Sequence, residues 1–137
     1  MSKSIYLANA ILDEILGATD WTPPATVYLG LYGTAPTGYG TGGTEFTSGA
    51  QPGYARKAVT NNATNFPAAS GGSKSTGVDQ TFATNSGGSE WANAVAFGIF
   101  DASSGGNLLG YGPMTPLACP VGSAITIPSG SVIWTET

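Results

Sequence analysis

The side chains that most often perform catalysis are scarce in this sequence. It contains no histidine, which removes the commonest general base and with it serine–histidine and cysteine–histidine nucleophile systems. The eight carboxylates remain as candidates for acid–base chemistry. Asp13 and Glu14 are adjacent, but neighbouring residues of a helix point about 100° apart and do not converge on one bond. We interpret this pair as a solvated helix edge and disfavour a carboxylate-dependent enzyme such as a glycan hydrolase.

Metal and cofactor sites are equally hard to assemble from these residue types. Cys119 is the one cysteine of the chain, and we interpret it as a small packed side chain. The clusters "GTGG", "SGGS" and "SGGN" lack the spacing of phosphate-binding loops that open a helix, so we interpret their glycines as turn residues. The sequence therefore predicts no metal and no cofactor.

The chain carries unusually little charge. Charged residues make up 9% of it, against about 25% in a typical soluble domain. Only Arg56 and Lys57 are adjacent cations, so nucleic acid is not an expected partner. No apolar run approaches the ~20 residues that span a bilayer, and Asp13 and Glu14 interrupt the N-terminal apolar segment, so neither a membrane span nor a signal peptide is expected. A surface with few charges favours a subunit of a packed assembly, the alternative being a β domain solubilised by hydroxyls and amides.

Apolar residues recur at helical spacing close to the N-terminus. They predict one short helix from about Ser4 to Leu16, with Ser2 or Ser4 as the N-cap and Gly17 as a left-handed stop. Its apolar stripe consists of Ile5, Ala8, Leu12, Ile15 and Leu16, widened by Leu7 and Ile11. We favour packing of this stripe on a sheet, and docking onto a partner subunit is the alternative.

The rest of the chain predicts about seven short strands. Val27, Leu29 and Leu31 form the aliphatic face of one strand. Residues 91–100 are apolar on both sides, which is typical of a covered central strand, and a Gly-rich turn returns them into 108–114. The two predicted faces of this strand are Val95, Phe97 and Ile99 against Ala94, Ala96, Gly98 and Phe100. We therefore predict a mainly β fold, an antiparallel β-sandwich or small barrel with one N-terminal helix, as a single domain over residues 1–137 whose β part starts at about residue 25.

A long loop rich in glycine and proline is expected over residues 34–53. We interpret it as an exposed arm that delivers Tyr39 and Phe46 to a neighbour, a disordered connector being the alternative. The candidate interface residues are Ile5, Leu12, Leu16, Tyr39 and Phe46. Trp21, Trp91 and Trp134 would suit sugar stacking, but in a β domain we favour core positions for them.

The order of several segments resembles a family of small virion structural proteins of tailed bacteriophages. These segments are "LANAILDEILG", "ATVYLGLYGTAPT", "GYARKAVT", "FGIFDASSGGNLLGYGPM" and "VGSAITIPSGSVIW", which together extend over nearly the whole chain. Members are variously labelled tail fibre or minor structural proteins, and similar small β proteins serve as capsid decoration (cement) proteins. The resemblance implies a β-rich virion subunit without catalytic activity.

Two positions on the virion follow from this resemblance. A decoration subunit would bind the major capsid protein and copies of itself on the capsid exterior, as a homotrimer at threefold or quasi-threefold positions. A tail fibre, tail-tip or baseplate subunit would instead bind a host surface, including its glycans, through Tyr39, Phe46 and the asparagines of "NNATNF". Fibres usually contain elongated repeats or heptads, and none occurs here, so we favour decoration, with the fibre role as the alternative.

Overall fold

The computed structural model describes residues 1–136 and is mainly β, which confirms the predicted fold class. Thr137, the last residue of the predicted single domain, lies outside the described residues. Over the described range the elements are β1 (Ser2–Lys3), α1 (Ile5–Gly17), β2 (Thr26–Thr34), a 3₁₀ turn (Gly38–Gly40), β3 (Thr44–Glu45), β4 (Lys57–Thr60), β5 (Ser73–Ser75), β6 (Gln80–Thr81), β7 (Trp91–Phe100), β8 (Leu108–Cys119), β9 (Thr126–Ile127) and β10 (Ile133–Thr135). Between residues 1 and 136, no helix has the length and apolar character that crossing a membrane requires.

One antiparallel sheet of six strands organises the molecule and curls into a half-barrel. Its strands follow the order β1, β8, β7, β2 and β3, and β4 pairs with β2 beside β3. Two small antiparallel pairs, β5 with β10 and β6 with β9, complete the structure. Strand β7 lies between β2 and β8, so its predicted central position is confirmed.

Both faces of the central strands are covered by side chains. On one face Leu29 and Leu31 of β2 belong to the main core. On the other face Tyr32, Ala96 and Phe100 form a smaller cluster. The predicted aliphatic face of β2 is therefore confirmed, and so is the two-sided burial of β7.

The predicted faces of β7 need one correction. Ala94 packs in the main core with Phe97 and Ile99, whereas the sequence pattern placed it with Ala96 and Phe100. The pairing of β7 with β8 shifts register on both sides of Ala94, as it does at a β-bulge. A bulge adds one residue to the strand and so reverses the alternation of faces beyond it.

Two opposed glycines explain how the outer cluster lies against the sheet. Gly30 of β2 pairs with Gly98 of β7. A Cβ atom added at either glycine would lie 2.8 or 3.1 Å from the Phe100 ring, so glycine allows this ring to rest on the backbone. Tyr32 stacks on Phe100 with ring centroids 6.4 Å apart. These strand glycines therefore permit a close approach of aromatic side chains.

The segment between β2 and β4 is not the free arm that the sequence predicted. Arg56 binds Glu45 through two nitrogens, at 2.7 and 2.8 Å. Its third nitrogen donates to the carbonyls of Ala102 and Gly105, at 2.7 and 2.8 Å. The guanidinium also lies over the Phe100 ring, 3.4 Å from the centroid. This Arg56 clamp ties the segment to the sheet and to the turn of the β7–β8 hairpin.

Candidate assembly surface

Helix α1 is fixed to the sheet at its N-terminal end. The N–H of Ser4 donates to the Leu109 carbonyl of β8 at 2.9 Å, directly after β1 has paired with the same strand. The buried Ser4 hydroxyl accepts a hydrogen bond from the Leu7 N–H at 3.2 Å, which confirms Ser4 as the N-cap. The helix therefore leaves the sheet from an anchored start.

The C-terminal end of the helix differs from the prediction by one residue. Gly17 is still helical, and Ala18 adopts the left-handed conformation with φ 52°. The Thr19 N–H then donates to the Asp13 carbonyl at 3.2 Å, which closes the last turn. The stop that was assigned to Gly17 therefore lies at Ala18.

One side of α1 faces the body of the protein. Leu7 is buried in the main core, and Ile11, one turn later, packs against that core from a half-buried position. Trp21 follows the helix and packs against the same core. The sequence favoured packing of the whole stripe within the molecule. In the structure, the large side chains of the stripe that pack against the core are those of Leu7 and Ile11.

The outer flank and the C-terminal end of α1 are apolar and open to solvent. Leu12, Ile15 and Leu16 expose 55%, 71% and 83% of their surface, and Ile5 is half exposed. The expectation that Ile5, Leu12 and Leu16 pack on the sheet is therefore wrong. Leu12 and Leu16 lie about 100° to 140° around the helix from Ile11, so they face away from the sheet. Ile15 continues the Ile11 row one turn further along, at the end of the helix that is not anchored. Below, Leu12, Ile15 and Leu16 are called the helix tip.

Acidic residues border the helix tip. Asp13 and Glu14 are exposed on α1, and Asp20 is exposed just after it, whereas the helix carries no lysine or arginine. An apolar surface with an acidic border complements a surface that is apolar at its centre and basic at its edge. Large exposed apolar patches of this kind mark interaction sites more often than chance exposure.

An open apolar cavity of about 400 Å³ lies between α1 and the sheet. Its walls include the inner side of the helix and several half-buried aromatic rings, and the principal wall residues are Met1, Leu7, Ile11, Trp21, Phe66 and Trp134. Two charged side chains lie at its edge. Lys74 belongs to β5, and Glu136 directly follows β10. Hydrogen bonds from Lys3 and from the Trp134 indole hold Glu136, and the bond from Lys3 lowers the pKa of the Glu136 carboxyl.

Sequence reasoning missed this cavity as a site. Its wall residues come from the N-terminus, from the loop after β4 and from β10, which are distant along the chain. The one available signal was the set of tryptophans. Trp91 is buried in the main core, and Trp21 and Trp134 pack against that core from half-buried positions while they line the cavity, so the core prediction is confirmed for Trp91 and holds in part for the other two.

The loop residues of the predicted interface lie in different environments. Tyr39 is 67% exposed in the 3₁₀ turn, at a left-handed φ of 63°. Phe46 is only 4% exposed and packs edge to face against Tyr54 and Trp91, with centroids 5.6 and 6.2 Å away. Phe46 is thus a core residue, which corrects its predicted exposure. The Tyr54 hydroxyl accepts from the Leu31 N–H beside it, and burial raises the pKa of this phenol.

Four of the eight carboxylates serve the structure directly. Glu45 binds Arg56, Glu136 binds Lys3, Asp79 accepts from the Ser129 N–H, and Asp101 accepts from Asn107 at the tip of the β7–β8 hairpin. Among residues 1–136 there is no cluster of three or more metal-binding side chains. Cys119 is buried, as predicted, and its thiol contacts the Ser123 carbonyl at 3.3 Å.

The family model described as Podophage GP4 fiber I protein gp80 matches residues 2–135. The chain belongs to this phage fibre family. No curated protein matches the sequence. Membership confirms the resemblance to virion structural proteins, and it supports a fibre more directly than the capsid decoration that the sequence favoured.

Two substitutions on α1 test which side of the helix holds the fold. We expect Leu12→Asp to leave the purified protein folded, with a free energy of unfolding within about 0.5 kcal/mol of the wild type, because Leu12 is largely exposed. Leu7→Asp should cost more than about 3 kcal/mol, because it places a carboxylate in the main core. Circular dichroism during urea unfolding measures both values. Equal losses of unfolding free energy in the two variants would contradict the assignment of Leu7 to the buried side and Leu12 to the exposed side.

Proposed function

We propose that the protein is a non-catalytic structural subunit of a phage tail fibre that also takes part in binding the host surface. The observation that carries this proposal is the match of the fibre family to residues 2–135. The exposed helix tip supports it, because a subunit built into a larger structure needs an apolar surface for its neighbours.

Capsid decoration fits the same composition but not the family description. Small size and few charges suit either position on a virion, so they do not distinguish shell from tail. The fibre family is the observation that separates the two, and it favours the tail. The absence of internal repeats, which favoured decoration, excludes only fibres built from long repeated chains.

The turn that carries Tyr39 is the best candidate for a host contact. The Thr37 hydroxyl donates to the Thr41 carbonyl, and the Thr41 hydroxyl donates to the Gly38 carbonyl, each at 3.1 Å. These bonds hold the turn in shape while the phenol ring points into solvent. A bulky residue at a positive φ is strained, and strain of this kind concentrates at functional sites. A rigid, exposed aromatic ring suits stacking on a host glycan.

A non-catalytic role agrees with the residue types present. The chain has no histidine, and four of its carboxylates already accept hydrogen bonds that stabilise loops and termini. The subunit then acts through its shape and through its contacts with other molecules.

The position on the virion can be measured directly. Antibodies raised against the purified protein and coupled to gold should label the tail of intact virions in electron micrographs. Antibodies against the major capsid protein of the same phage serve as the control and should label the shell. Gold restricted to the shell would refute the fibre assignment and restore decoration.

Host binding can be tested by removing the Tyr39 ring. We expect virions with Tyr39→Gly to adsorb to host cells about tenfold more slowly, because glycine keeps the positive φ and only the ring is lost. Val121→Ala, at another exposed apolar residue, is the matched control and should adsorb normally. Normal adsorption of the Tyr39→Gly virions, with normal tail labelling, would remove the host contact from the proposal without affecting the fibre role.

A further inference from the structure

We infer that copies of this protein join head to tail, with the helix tip of one copy seated in the apolar cavity of the next. The inference deepens the proposed fibre role and rests on it. It joins two unpartnered apolar features of the same chain, the exposed helix tip and the open cavity beneath Leu7 and Ile11. No other virion protein is needed to cover either of them.

The cavity has the size and the lining that the helix tip requires. A cavity of roughly 150 Å³ with an apolar lining accommodates a benzene molecule. A volume of about 400 Å³ therefore holds two branched aliphatic side chains, such as Ile15 and Leu16. Protein interiors are close-packed, so an apolar cavity of this volume is better filled than empty.

A copy cannot fill its own cavity with its own helix tip. Leu7 and Ile11 already form one wall of the cavity, so the inner side of α1 is fixed there. Ile15 and Leu16 lie further along the same helix, about 6 to 8 Å beyond Ile11, and they do not line the cavity. Only a second molecule can bring these side chains into it.

The charges at the two surfaces are complementary. The helix tip is bordered by the exposed Asp13, Glu14 and Asp20. The edge of the cavity carries Lys74, which makes no ion pair with any residue from 1 to 136, and Glu136, whose charge is matched by Lys3. Seating the tip in the cavity brings acidic side chains towards free positive charge.

Helix-to-helix pairing of two copies is less favourable on the same grounds. It would bring the acidic borders of two tips together, and α1 offers no cation to compensate them. Like charges across an interface weaken it. The helix tip is therefore expected to bind the cavity of the neighbouring copy and not its helix.

Head-to-tail contacts have a consequence for the shape of the assembly. Because the donating and accepting surfaces differ, such contacts form either a closed ring or an open filament. A chain without repeats or heptads can then build an extended structure by adding copies. Many modest interfaces of this kind are strong in combination.

Two variants block opposite halves of the proposed interface. Leu16→Asp damages the helix tip but leaves the cavity intact. Ala69→Trp fills the cavity from its exposed wall and leaves the helix tip intact. In sedimentation velocity runs the wild type should form oligomers that grow with concentration. Each variant alone should remain monomeric, with at least about 30-fold weaker association, which is the loss expected at an interface hot spot.

Mixing the two variants gives the decisive result. An equimolar mixture should form dimers and nothing larger, because the tip of the Ala69→Trp copy fits the cavity of the Leu16→Asp copy and no further contact is possible. Val121→Asp and Ala118→Trp are the matched controls at exposed positions and should assemble like the wild type. Circular dichroism verifies that every variant is folded.

Three outcomes would overturn the inference. The first is a wild type that stays monomeric at millimolar concentration. The second is an Ala69→Trp variant that assembles like the wild type, which would indicate helix-to-helix pairing. The third is a mixture that remains monomeric while both variants are folded. Tail labelling by the antibodies tests the fibre role separately, so labelled tails together with any of these results would refute only the head-to-tail interface.

Discussion

A single short helix whose apolar stripe is wider and longer than the sheet covers is the constraint on which the rest of this structure depends. The Ser4 cap and the pairing of β1 with β8 fix where the helix starts, and Leu7 and Ile11 then determine which side faces the sheet. The rest of the stripe is left in water, where apolar surface is unfavourable. The fold buries one part of the apolar stripe of the helix and leaves the other part exposed for a neighbouring molecule to cover.

The rest of the molecule acts as a rigid support for that helix and for the loops. Opposed glycines in β2 and β7 let Phe100 lie on the sheet, and the guanidinium of Arg56 covers the ring from outside. Because the same guanidinium binds Glu45 and two carbonyls of the hairpin turn, one side chain joins three segments. The turn that carries Tyr39 is held by its own threonine hydrogen bonds and presents the ring in a defined position, which is what a repeated contact surface needs.

Local features of the fold could be predicted from the sequence. The Ser4 cap depends on neighbouring residues, and the turn of the β7–β8 hairpin depends on Asp101, Gly105 and Gly106, whose geometry is local. The two-sided core position of β7 follows from its composition. These features need no knowledge of distant contacts.

Features that depend on distant contacts could not be predicted. Phe46 sits in a glycine-rich segment that reads as an exposed loop, and its burial depends on Tyr54 and Trp91 meeting it from elsewhere in the chain. Which residues of β7 share a face depends on a register shift in its pairing with β8. No residue type in the sequence indicates that shift. The cavity is formed by segments from the N-terminus to β10 that are distant along the chain, so its wall residues appear in the sequence as unrelated apolar positions.

The same limit applies to the virion position. Composition and size describe a packed subunit but not its location, and the absence of repeats favours the capsid on its own. Membership of the fibre family outweighs that signal, because it bears directly on the kind of virion structure. The structure adds a way in which a short chain without repeats contributes to a fibre, through contacts between copies.

The most direct test of the account is a cryo-electron microscopy map of the assembled tail fibre at side-chain resolution. Density for Ile15 and Leu16 of each copy is expected within van der Waals contact of Trp134 and Phe66 in the adjacent copy. A map in which the helix tips face solvent or pair with one another, with the cavities unfilled by any neighbouring copy, would contradict it.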